Sequence, residues 1–107
     1  MFERGSLVKI SSNTSVNNGR LAIVLYYTKG RETDIVMISL VSVSLEKLQI
    51  YKNKFAIRES SLKEATVYDI MRNLDDKDLA KLTKKKASKI LSKYLETIEF
   101  VFDEDNG

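Results

Sequence analysis

Two nearly continuous apolar runs, residues 20–27 (RLAIVLYY) and 35–41 (IVMISLV), constrain this chain more than any other feature in it. Both are rich in β-branched or aromatic side chains and too short to prefer helix, so they read as strands covered on both faces. A third short strand, residues 7–10 (LVKI), precedes them. The polar octet SSNTSVNN at 11–18, followed by Gly19, reads as a surface loop between the first two strands, and TKGR at 28–31 turns the chain toward the next. Within residues 45–57, Leu48, Ile50, Phe55 and Ile57 alternate on either side of Lys52-Asn-Lys54. That pattern predicts a hairpin with one wet face. Residues 65–74 (ATVYDIMRNL) fit two periods: Thr66, Val67, Tyr68 and Ile70 favour strand, whereas Leu62, Ile70, Met71 and Leu74 form a helical stripe. Strand is the expectation here.

The last third follows a different period. Ala87, Ile90, Leu91, Tyr94, Leu95 and Ile98 share one face of an α-helix, which must dock on the sheet. Asp75 and Asp76 are good N-caps, and Thr83 is a second candidate. Three lysines at 84–86 would oppose the macrodipole of a helix starting at Thr83, so a helix running from about Asp76, straight or bent, is expected. The fold class that follows is α+β: five or six short strands closing into a small SH3-like barrel, with a long C-terminal helix over its open end. Residues 1–100 form one domain on this reading and 101–107 an acidic tail.

The 107 residues include no Pro, Cys, His or Trp. Imidazole or thiolate metal centres, Ser-His-Asp or Cys-His nucleophiles and disulfide frameworks are therefore excluded, and no cofactor is expected. Apolar stretches fall short of the roughly 18–20 residues that cross a bilayer, and MFERGSLVKI has no leader-like apolar core, so a cytoplasmic protein without membrane contact is expected. The net charge of +3 permits a polyanion partner without demanding one. Its distribution is uneven: all seven basic residues after position 74 lie between Lys77 and Lys93, and five carboxylates lie between Glu96 and Asp105.

Several residue groups could carry chemistry. Arg20, after Gly19 at the mouth of the second strand, could clamp a phosphate; a plain surface arginine is the alternative. Ser39 and Ser42 interrupt or end the third strand, where a hydroxyl either faces a cleft near Arg20 or bonds a backbone neighbour. Lys77, Lys81, Lys85, Lys89 and Lys93 recur every four residues, a stripe suited to a phosphate backbone or simply to solvent. Tyr26, Tyr27, Tyr51 and Phe55 lie near Lys29, Arg31, Lys52 and Lys54, a combination that stacks bases while holding backbone charge, although half of these aromatics must be core. The acidic, aromatic tail could add a strand edge or meet a basic partner.

In the order of its elements the chain resembles the MazF/PemK-type toxins, small SH3-like barrels that act as endoribonucleases. The resembling pieces are Arg4-Gly5, residues 20–25 (RLAIVL), the third strand ending at Ser42, and residues 69–75 (DIMRNLD) running into the C-terminal helix, together spanning about 95 residues. The resemblance implies that Arg20 and Ser42 are catalytic. Ser42 stands where the family has threonine, and Leu21 where it has proline. It further implies an RNA 2′-hydroxyl attacking its own phosphate, with Arg20 stabilising the developing charge and Ser42 positioning the phosphoryl oxygens. Lys29, Arg31, Tyr51, Lys52, Lys54, Lys81, Lys85 and Lys89 would then bind RNA. A homodimer and an antitoxin partner would follow. The N-terminal half is also similar to KOW and related SH3-like nucleic-acid-binding modules, through Gly5, Val8, Ile10, Gly19, Ala22 and Val24. That resemblance implies binding without catalysis. A small phage- or plasmid-encoded inhibitor of a host protein is a third reading.

Overall fold

The computed structural model describes residues 2–28, 35–45, 47–83, 85, 86, 88–90 and 92–94. Its elements are β1 (Leu7–Ile10), β2 (Leu21–Thr28), β3 (Ile35–Val43), β4 (Leu48–Arg58), a 3-10 turn (Glu59–Ser61), β5 (Leu62–Glu64), α1 (Val67–Asn73) and α2 (Asp76–Ala80). The five strands form one antiparallel sheet in the order β4-β3-β2-β1-β5. The chain meanders from β1 to β4, and the 3-10 turn then returns it to the free side of β1.

Strand alternation divides the apolar side chains between two faces. Leu7, Leu21, Ile23, Val41 and Leu48 point to one, where Ile70, Ile90 and Tyr94 pack on them. Val8, Ile10, Ala22, Val24, Val36, Ile38 and Leu62 point to the other, with Phe2, Tyr27, Phe55 and Ile57 packed around them. Leu21, Ala22, Ile23 and Val24 are each at most 1% exposed. The unbroken apolar run in β2 follows from this double burial. Each large aliphatic side chain so buried contributes roughly 1.5–3 kcal/mol.

Three expectations are corrected. The first concerns the barrel and the long helix. The sheet has five strands, and among the described residues β4 and β5 are its two unjoined edges, so it is a small open sheet. Among the described residues no long C-terminal helix covers it. Asp75 caps α2 by accepting from the Asp78 N–H at 2.7 Å, but α2 stops at Ala80, where the Lys81 N–H bonds back to Asp78 and Leu79. Helical backbone resumes at residues 85, 86, 88–90 and 92–94. The Thr83 hydroxyl accepts from the Lys86 N–H at 3.3 Å, the bond an N-cap makes. A cap contributes about 1 kcal/mol, and each exposed lysine loses about 0.3–1 kcal/mol to the macrodipole, less in salt. The two effects are of similar size, and the backbone takes the capped arrangement.

The second correction concerns residues 65–74, which contain α1 and no strand. The Thr66 hydroxyl accepts from the Asp69 N–H at 3.3 Å, and the Asp69 carboxylate accepts from the Thr66 N–H at 2.8 Å. This reciprocal box satisfies two otherwise orphaned donors, and it outweighs the β preference of Thr66, Val67 and Tyr68. Third, Lys52-Asn-Lys54 is no hairpin turn. β4 is one strand paired along β3 from Val43↔Leu48 to Ile35↔Arg58. Between Val41↔Ile50 and Ser39↔Lys54 two β3 steps face four on β4, so these residues form a bulge. The turn lies earlier, closed by the Ser44 N–H to the Lys47 carbonyl at 2.9 Å.

The proposed tail, 101–107, lies outside the described residues. Among those described, no helix is long and apolar enough to cross a membrane.

Candidate functional site

The loop at 11–18 fixes where β2 begins. The Ser12 N–H donates to the Asn18 side-chain oxygen at 2.8 Å, and the Asn18 N–H to the Ser15 carbonyl at 3.3 Å. Gly19 follows with φ +84°, its N–H on the Ile10 carbonyl at 2.7 Å and its own carbonyl accepting from Asn73 Nδ2 at 3.1 Å. Arg20 is then held at both backbone groups: its N–H donates to the Asn17 carbonyl and its carbonyl accepts from the Ile10 N–H, each at 3.0 Å. Its Cα position is set by strand, loop and α1 together.

Alternation sends the Arg20 side chain away from the helix-covered face, because Leu21 points toward that face. Ser42, between Val41 and Val43, and Gln49, between Leu48 and Ile50, point the same way as Arg20, and the two are directly paired across β3 and β4. Continuing the β2–β3 register two residues past Ala22↔Leu40 brings Arg20 level with Ser42. The Arg20 guanidinium lies 5.6 Å from the ring centroid of Tyr51, whose side chain is 43% exposed. Arg20, Ser42, Gln49 and Tyr51 therefore form a row across three strands at one end of the sheet. The guanidinium carries a planar fork of N–H donors of the kind that binds a phosphate through two bonds at once.

The other expected site residues scatter. Lys54 pairs with Ser39 on the helix side of the sheet, and its ammonium lies 5.3 Å from the Tyr26 ring centroid. Tyr26, 46% exposed, and Tyr51 thus sit on opposite faces, with the exposed Lys52 in the β4 bulge between them. Tyr27 and Phe55 are half-buried and pack against the core, whereas Tyr26 and Tyr51 are exposed. Ser39 is buried on the helix side, away from Arg20. The four-residue lysine stripe is broken by the turn at Lys81: this residue ends α2, and Lys85 and Lys89 belong to the helical stretch after it. Lys29 and Arg31 lie outside the described residues.

Gln49 is the member that sequence reasoning missed. Reading 48–58 as one strand would have placed it beside Ser42, since it is the polar residue between two inward apolar ones. The cluster consists of a guanidinium, an alcohol, an amide and a phenol; it contains neither an imidazole nor a carboxylate, the usual general bases. Among the described residues no group of three carboxylates is placed to hold a metal ion. The arrangement can bind an anion, stack a planar ring and exchange neutral hydrogen bonds. No protein-family model matches the chain, and no curated protein or solved structure matches it either.

Proposed function

We propose that this protein binds single-stranded RNA on the row formed by Arg20, Ser42, Gln49 and Tyr51, without cutting it. The observation that carries the reading is the Arg20 guanidinium 5.6 Å over the exposed Tyr51 ring, with Ser42 in register across the sheet. Arg20 meets a phosphate, and Tyr51 offers a π-face that any unpaired base can use. Ser42 and Gln49 supply donors and acceptors for a 2′-hydroxyl, the group that separates RNA from DNA. Binding is favoured over cleavage because attack by that 2′-hydroxyl needs a base to take its proton, and the row contains neither of the usual ones.

Fluorescence anisotropy with a labelled single-stranded RNA, the matching DNA and a duplex tests this. RNA binds best, and its affinity falls with salt. Arg20→Ala lowers the slope of log K against log salt by about 0.7, the value of one phosphate contact on a single strand. Tyr51→Ala leaves that slope unchanged and costs about 1–3 kcal/mol of stacking. Equal binding by both variants and the parent refutes the site. Shortened RNA on a denaturing gel, abolished by Arg20→Ala, replaces binding with catalysis.

A further inference from the structure

We propose that a hollow on the opposite side of the sheet binds a small amphiphilic carboxylate, an apolar chain or ring carrying one anionic head. The hollow measures about 300 Å³ and is lined by Leu45, Lys86, Lys89, Ile90 and Lys93. Its floor is apolar: Ile90 is buried in the helix-side core, and Leu45 packs against that core. Its rim is cationic. Lys86, Lys89 and Lys93 follow one another by three and four residues on helical backbone, so they share a face with Ile90. Among the described residues no acidic side chain lines the space.

The walls are tied to each other by bonds of their own. The Leu45 N–H donates to an Asp78 carboxylate oxygen at 3.3 Å, and the Tyr94 hydroxyl donates to the Ser44 carbonyl. The first bond ties the β3–β4 turn to α2, and the second ties it to the helical residues that carry the lysines. The hollow is thus built before any ligand arrives. A polyanion alone would satisfy the rim and leave the floor wet; a neutral hydrocarbon would do the reverse. A ligand that has both parts satisfies both. The volume lies at the small end of ligand pockets, roughly 300–1,000 Å³, which suits one medium-length chain or a single ring. This site shares no residue with the Arg20 row, so neither reading depends on the other.

The test uses the full chain, labelled with nitrogen-15 and titrated with octanoate below its micelle concentration. Saturating amide shifts centred on Leu45 and Ile90 are expected. Octanol, which lacks the charge, and acetate, which lacks the chain, bind at least about tenfold more weakly. Lys89→Gln, an exposed position that leaves the circular dichroism unchanged, weakens octanoate binding by about the same factor. Octanol binding as tightly as octanoate, shifts centred elsewhere, or an unchanged affinity in Lys89→Gln would each overturn the proposal.

Discussion

At Gly19 no atom lies within 4 Å of where a Cβ would stand, so a side chain there meets open space and the cost of adding one is conformational. With φ at +84°, Gly19→Ala is expected to lower stability by about 1 kcal/mol in urea unfolding, with an unchanged m-value. A variant as stable as the parent would show that the positive φ is not adopted. Asp69 is the other residue whose surroundings decide its behaviour. It is 4% exposed, its carboxylate bonded to Thr66 and 3.0 Å from the Lys9 ammonium. Burial pushes its pKa up, but the Thr66 and Lys9 contacts outweigh that and hold it below the ordinary 3.8. A depressed folded-state value stabilises the fold above the unfolded value, and that contribution fades as pH falls through the folded one. Asp69→Asn is therefore expected to cost about 1–2 kcal/mol at neutral pH, with the gap narrowing below about pH 4. Unfolding midpoints measured at both pH values check this. A gap that stays constant with pH contradicts the carboxylate's role.

Helical backbone at 92–94 meets the β3–β4 turn at one phenol. Tyr94 is fully buried, and its pKa is pushed up to about 12, first by burial and then by the nearby Asp78 carboxylate. Because the folded-state value exceeds the unfolded 10.0, the stabilisation is complete below that lower value and is lost as pH rises through about 12. Tyr94→Phe is expected to lose about 1 kcal/mol at neutral pH, the worth of its bond to Ser44, and to close that deficit in alkaline unfolding. A deficit independent of pH would place the phenol outside the core. The same scale explains which elements could be read from the chain. β1, β2 and β3 were legible because their apolar runs fit only one period. α1 was not, since Val67 and Tyr68 speak for strand and only the reciprocal bonds of Thr66 and Asp69 decide otherwise. The break before Lys85 depended on one hydroxyl bond competing with lysine charges of similar size. β4 was split in two because a bulge put its polar residues together and imitated a turn.

Across the whole molecule, the sheet separates two chemistries. One face lies under the helices and bears the lysine-rimmed hollow; the other ends in Arg20, Ser42, Gln49 and Tyr51. The sheet's edges are guarded: β5 has three residues, and β4 carries Lys52, Lys54 and Arg58, charges that discourage pairing with another chain. Arg20 and Ser42 could be named from the sequence because each marks a strand end. Their partners could not, since Tyr51 reaches Arg20 only through the register of two further strands, and Tyr26 is carried to the other face by the β2 bulge between Val24 and Tyr26. RNA is proposed to meet the face that ends in Arg20, Ser42, Gln49 and Tyr51. That proposal is tested most directly by mapping amide shifts on the nitrogen-15-labelled chain during titration with a short single-stranded RNA. Shifts gathered at Arg20, Ser42, Gln49 and Tyr51 are predicted, with Tyr26 and Lys89 unmoved; shifts confined to the helix side, or none at saturating RNA, would contradict it.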